Sequence, residues 1–308
     1  MFIVCGEALM DVFATADTPT GTLMDACIGG SPLNVAIGLA RLAQPVAFFG
    51  ALSSGFLGDR LARALAEEGV SDACLARIDA PTTLGLVGLD ARGVPSYAFY
   101  GDRCADRLLP PAAVDQVPAA AQALHFGSYA MVVEPVASTQ RALVERLAGR
   151  VLVAYDPNVR LNVEPDLQRW RDTLGWMLPR TQLLKISDED LGLLFPGQAP
   201  EALAAAWLQA GVEAVVLTRG GAGASVWTAA LRVDVPGRPV AVVDTVGAGD
   251  TFQAALLTWL AEQGRLRPGA LRTLDAAAWQ AALGFSAAAA AITCSRRGAD
   301  LPRRAELP

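Results

Sequence analysis

The residues best placed to do chemistry lie near the C-terminus, in the run Val242 to Phe252, where Gly247, Ala248 and Gly249 lead directly into Asp250. Two glycines let the backbone turn tightly and approach a ligand closely. The apolar, helix-compatible stretch Phe252 to Leu260 follows, so the free N–H groups of a helix start would gather here, and such a helix end attracts phosphate. An acid beside those amides is suited to accept a proton from a hydroxyl that attacks a bound phosphoryl group. The same Asp250 could instead be no more than a helix N-cap.

Two familiar nucleotide loops do not fit these residues. No Gly-x4-Gly-Lys-Ser/Thr occurs anywhere in the chain, and a dinucleotide fingerprint would want a glycine where Phe252 stands and an earlier position in the sequence. A second glycine turn, Gly29-Gly30, opens the first long helix with Asn34 one turn in. Its backbone donors and the Asn amide could meet a sugar diol; a capped helix start is the alternative.

The elements that must hold these turns can be read from the hydrophobic pattern. Phe2 to Val4 predicts a strand, ending at Gly6-Glu7, and residues 11 to 27 predict an exposed hairpin around Thr18 to Gly21. Ser31 is expected to cap the first helix, with Pro32 at its first position and Leu33, Ile37 and Ala40 as its apolar stripe. Val46 to Gly50 predicts a buried strand, Phe56 to Glu68 an amphipathic helix stopped by Gly69, and the runs 82 to 89 and 94 to 100 a hairpin around Asp90 to Gly93. Further strands are expected at 123–126, 151–155, 182–186, 214–218 and 240–243, with helices between several of them. That alternation predicts an α/β fold: a mostly parallel sheet with crossover helices. No linker or repeat divides the chain, so residues 1–308 are expected to form one domain carrying a small β-lid from segments near 11–27 and 80–104.

Composition narrows the partners. A net charge of −6 argues against nucleic acid or an acidic membrane as the main partner. The five cysteines are scattered, with no Cys-x2-Cys pair, which fits reduced thiols in a cytoplasm better than a disulfide framework or zinc site. The N-terminus lacks a basic region before its apolar run and reads as a strand rather than a signal peptide. The Ala-rich run ending at Cys294 is expected to be too short to span a bilayer. His125 is the only histidine, which removes multi-His metal chemistry, and Lys185 is the only lysine beside 24 arginines.

The two glycine motifs, in this order and at this spacing, closely resemble the two signatures of the ribokinase-type sugar kinases, the PfkB carbohydrate kinase family. The resemblance runs from Gly6 to about Pro302. Within the family the chain is most similar to bacterial fructokinases, through Gly6-Glu7 to Asp11, Asp156 to Arg160 and Lys185 to Asp190. It implies a three-layer ribokinase-like fold and transfer of the γ-phosphoryl of ATP, with Mg2+, to a primary hydroxyl of a sugar. Fructose is the first expectation, 2-keto-3-deoxygluconate the closest rival and a nucleoside the third. A catalytically silent sugar-binding protein is the reading from another class, against which the retained Asp250 argues.

The resemblance also implies roles. Asp250 matches the catalytic base, and Gly247, Ala248 and Gly249 match the anion hole. Asp11, Gly29, Gly30 and Asn34 match sugar-binding positions; Arg160 could meet substrate or phosphate. Thr218, Gly220 and Gly223 match the nucleotide loop, with Lys185 near the ATP phosphates. Asp244 resembles part of a monovalent-cation site, which makes K+ a candidate cofactor. Ser187 to Asp190 stands where relatives carry Asn-x-x-Glu, so Glu189 or Asp190 would serve Mg2+ through water. Gly101 stands where many relatives carry an Arg. Apolar residues of the lid such as Val87 and Phe99 could pair with a second copy, giving a homodimer.

Overall fold

The structure, a computed structural model, describes residues 1–89 and 95–308; the expected turn at Asp90 to Gly93 lies outside the described residues. The chain opens with β1 (Phe2–Cys5), β2 (Leu9–Thr18), β3 (Gly21–Gly29), α1 (Ser31–Arg41), β4 (Val46–Ser53), α2 (Phe56–Glu67) and β5 (Leu75–Ile78). Next come β6 (Leu84–Leu89), β7 (Pro95–Tyr100), β8 (Ala123–Gly127), α3 (Val136–Leu147), β9 (Leu152–Asp156), α4 (Leu167–Met177) and β10 (Leu183–Ser187). The last part holds α5 (Asp188–Leu194), α6 (Pro200–Gln209), β11 (Ala214–Thr218), β12 (Ala224–Trp227), β13 (Arg232–Val235), α7 (Ala248–Glu262) and α8 (Ala276–Cys294).

Nine strands form one sheet in the order β13-β12-β11-β10-β9-β8-β1-β4-β5, parallel from β11 to β5 with β12 and β13 added antiparallel at one edge. Its central strands are almost continuously apolar because both faces are covered. Successive residues point to opposite faces. Phe2, Val4 and Val216 therefore pack with Leu33, Phe252 and Trp279 of α1, α7 and α8. Ile3, Ile186 and Val215 pack on the other side with Leu143, Trp170 and Trp207 of α3, α4 and α6. Each fully buried Leu or Phe contributes roughly 1.5–3 kcal/mol. The result is the helix–sheet–helix layering that alternating β and α segments predict.

A second sheet, ordered β3-β2-β6-β7, stands over the C-terminal ends of the central strands and contains both segments expected to form a lid. Phe99 on β7 is half-buried: it packs against one core face and lines the cavity at the strand ends, and Val87 is half-buried as well. Among the residues of this sheet whose burial is described, the exposed large apolar ones are Leu23, Met24 and Tyr100.

Three further expectations are corrected. Residues 240–243 form no strand; the β12–β13 hairpin takes the sheet edge instead, and Val242 and Val243 are exposed while Val243 N–H donates to the Cys294 carbonyl. Ser31 does not cap α1, because Gly30 (φ 107°) is the N-cap and Ser31 is the first helical residue. The Ala-rich run belongs to α8, whose 19 residues are long and apolar enough by length and composition to cross a membrane. In this fold α8 lies in a helical layer, with Trp279, Leu283 and Ala282 buried against the core.

Candidate active site

In an open parallel sheet the strand ends leave a crevice on the carboxyl side. Here it is a cavity of about 360 Å³. Its floor comes from residues just beyond four neighbouring strands: Glu7 after β1, Ser128 after β8, Asn158 and Arg160 after β9, and Ser187 at the end of β10. The second sheet supplies Leu9, Asp11 and Phe99, and the helix starts of α1 and α7 supply Gly30, Ser31, Asn34, Gly247, Gly249 and Asp250. Thr218 ends β11, with Glu189 and Asp190 of α5 in the same lining.

At the head of α7 the N-cap is Gly247, with φ 77°. A Cβ there would sit 2.7 Å from the Ala299 Cβ, so only glycine fits both the left-handed backbone and the space. The first intrahelical bond is Thr251 N–H to the Gly247 carbonyl, which leaves the amides of Gly249 and Asp250 in the first turn ahead of it. Asp250 is thus not the helix cap. Its carboxylate reaches across to α1, where Ser31 Oγ donates to Oδ1 at 2.6 Å and Asn34 Nδ2 donates to Oδ2 at 2.8 Å. The two helices approach closely enough for this because residue 38 has no side chain; a Cβ on Gly38 would lie 2.8 Å from that of Ala254 in α7. Burial pushes the Asp250 carboxyl up, while Ser31, Asn34, Lys185 and Arg160 pull it back down.

Asp11 is placed by glycines rather than by a partner. A Cβ on Gly29 would fall 2.3 Å from Asp11 Oδ2, and one on Gly85 would fall 2.8 Å from Oδ1. Gly29 therefore does not itself line the cavity; it clears room for the carboxylate that does. Burial raises Asp11 to about 6, opposed by the positive charge of Arg160. Below it, Glu7 is almost wholly buried with Oε2 unpartnered, and burial raises it to about 8 against a hydrogen bond from Ser128.

On the other side Lys185 Nζ donates to Asp156 Oδ2 at 2.5 Å, both side chains buried. The ammonium lies under the first turn of α7, 3.7 Å from where a Cβ on Gly249 would stand. Asp190 accepts from the Val159 amide through Oδ1, and burial raises its carboxyl to about 6, with the Asp156 charge adding to the rise. Glu189 is exposed on the cavity wall, so of the two acids it is the one free to face a cation.

Of the residues singled out in the sequence, Asp250, Gly247, Gly249, Asp11, Gly30, Asn34, Arg160, Lys185, Thr218, Glu189 and Asp190 come together around this cavity. Ala248 is the first residue of α7 beside it. Gly220 and Gly223 sit in the β11–β12 turn outside the lining, both at positive φ; a Cβ on Gly223 would meet the Val235 carbonyl at 2.1 Å. Asp244 also lies outside it, accepting from the amides of Val246 and Gly298 and so tying the turn before α7 to the loop after α8. Sequence reasoning gave Glu7, Ser128 and Asn158 no role in the site and read Ser31 only as a helix cap. The positive φ of Ser128 (58°) carries no sequence signature, whereas that of Asn158 (42°) falls on a residue type that favours it.

The profile of the pfkB family carbohydrate kinases matches residues 2–305. The chain belongs to the pfkB family of carbohydrate kinases. This kinase is 35% identical over 275 residues to a fructokinase of Rhizobium leguminosarum bv. trifolii, covering 89% of this chain and 84% of that one. It is 37% identical over 272 residues to a fructokinase of Klebsiella pneumoniae, covering 85% and 84%. Among solved structures, the kinase superposes on a Xylella fastidiosa fructokinase with bound ATP at a TM-score of 0.86 and 29% identity, covering 100% of this chain and 94% of that one. A Vibrio cholerae O395 fructokinase in its fructose, ADP and calcium bound form gives 0.79 and 26%, covering 97% and 94%. The kinase is therefore a phosphotransferase with an alcohol group as acceptor, and its fold is ribokinase-like.

Proposed function

We propose that this kinase transfers the terminal phosphoryl group of ATP to a primary hydroxyl of fructose. The observation that carries the reading is Asp250: a half-buried carboxylate at the mouth of a helix N-terminus, facing a cavity of about 360 Å³ large enough for a monosaccharide beside a phosphate chain. The fructokinase names of the similar chains support the choice of sugar.

The chemistry follows from the placement. A sugar hydroxyl hydrogen-bonded to Asp250 gives its proton to that carboxylate as its oxygen attacks the γ-phosphorus, and the bond to the bridging oxygen breaks with its electron pair leaving on ADP. The amides of Gly249 and Asp250 face the charge that spreads over the transferred group and need no reorganisation to do so. Asp11 and Arg160 line the sugar side of the cavity. Among the described residues no group of three acids, histidines or cysteines could cage a metal, which suits Mg2+ held by one carboxylate, phosphate oxygens and water. Glu189 would be that carboxylate, and Mg2+ would neutralise phosphate charge.

A second reading, a 2-keto-3-deoxy sugar acid as acceptor, draws on Arg160, a cation in the cavity able to take a carboxylate. ADP release measured on a panel of fructose, 2-keto-3-deoxygluconate and a nucleoside separates them. Turnover of the keto acid without turnover of fructose would replace the first reading with the second.

A further inference from the structure

Ser31 was expected to cap a helix, and it does not; its hydroxyl is spent on an oxygen 219 positions away in the sequence, Asp250 Oδ1, at 2.6 Å. Asn34 fixes only the other oxygen. A carboxylate held through one oxygen keeps a broad torsional well about its last bond, whereas two donors on two oxygens define its plane.

We propose that Ser31 is a positioning residue for phosphoryl transfer: its hydroxyl holds Asp250 Oδ1 so that the remaining lone pair of that oxygen faces the attacking hydroxyl of the sugar. The inference rests on Asp250 being the base and not on which sugar is phosphorylated. Ser31 keeps its own proton throughout. The proton that moves is the sugar's, to Asp250, while the sugar oxygen bonds to phosphorus and the bridging oxygen departs with ADP.

The electrostatics run the same way. A hydroxyl donating to a carboxylate favours its charged, proton-accepting form, and so works against the burial that favours the neutral acid. Lys185 from β10 and Arg160 beyond β9 act in the same direction as Ser31. Asp156 is paired with Lys185, and the acids Glu7, Asp11, Glu189 and Asp190 line the same cavity from the loop after β1, from β2 and from α5. The α1 face turned to Asp250 brings the two neutral donors Ser31 and Asn34. Substituting Ser31 therefore changes one hydrogen bond and no charge.

The test is the pH dependence of kcat and kcat/KM for Ser31→Ala and Ser31→Thr, on whichever sugar the wild-type enzyme phosphorylates. For Ser31→Ala the acid limb should move up by about one pH unit. Its plateau kcat should fall about 3- to 10-fold, with the sugar KM changed by less than about twofold. Alanine is well tolerated in a first helical turn, so the melting temperature should fall by no more than the few degrees that the lost hydrogen bond accounts for. Ser31→Thr restores a hydroxyl and should bring the limb and kcat back toward wild type. A Ser31→Ala enzyme with the wild-type limb and kcat overturns the proposal, as does a Ser31→Thr enzyme displaced as far as Ser31→Ala, since side-chain shape rather than the hydroxyl would then be responsible. Absence of fructose turnover in the wild type would count against the substrate, and an Asp250→Asn enzyme of undiminished kcat against the base; neither result resembles those two.

Discussion

Lys185, the only lysine of the chain, donates to Asp156 Oδ2 at 2.5 Å from a side chain only 4% exposed, against 6% for its partner. A buried pair of this kind adds little when compared with two apolar residues, yet breaking it leaves one charge stranded in a medium that cannot solvate it. Lys185→Met should therefore lower the unfolding free energy by about 3–5 kcal/mol. Lys185→Met combined with Asp156→Asn should recover part of that loss, because no charge is left alone. Urea denaturation of the three variants checks this, and a single-variant loss below about 1 kcal/mol would show the pair to be solvated.

Asp250→Asn keeps the size of the side chain but removes the ability to accept a proton. The kcat should fall about 10²- to 10⁴-fold while sugar affinity, measured by calorimetry without nucleotide, stays close to wild type. A kcat within tenfold of wild type would mean that another group, or water, takes the proton.

How far the sequence speaks for such residues depends on range. The glycine turns and the position of Asp250 are legible because their geometry is local: a helix start is built from consecutive residues, and β11 and β10 show as apolar runs of strand length. Whether Asp250 caps its own helix or serves the cavity is decided by Ser31 and Asn34, more than 200 positions away. Gly29 and Gly85 illustrate the same limit, since their purpose is the space they leave for Asp11 on the strand between them. Val240 to Val243 mislead in the opposite sense. Valine prefers strands wherever a neighbour offers an edge, and here β13 has already taken the last position.

Glu7 gives a stability signature with a definite sign. Burial raises its carboxyl from 4.5 to about 8, so between those values the folded protein binds the proton more tightly than the unfolded chain does. Its contribution is fully present below about pH 4.5 and is lost as the pH rises toward 8. Glu7→Gln, neutral at every pH, should remove this fall, which can reach about 1.4 kcal/mol per pH unit. Chemical denaturation at pH 5, 6.5 and 8 compares the two proteins. Wild type should lose ground to the variant across the series, and a gain would show that Glu7 is ionised in the fold.

The last relationship reaches the cavity from outside it. Asp244 Oδ1 accepts from the Val246 amide and Oδ2 from the Gly298 amide, so one carboxylate joins the turn that leads to Gly247 to the loop that follows α8. A monovalent cation beside Asp244 would brace both segments and, through them, the amides that face the phosphoryl group. It would act on kcat more than on sugar binding, because the braced groups meet the charge that develops in transfer. Activity should then be several-fold higher in potassium than in sodium salts at equal ionic strength, and Asp244→Asn should shrink that ratio chiefly by lowering the potassium rate. Equal rates in the two salts would remove K+ from the account and leave Asp244 as a hydrogen-bonded brace alone.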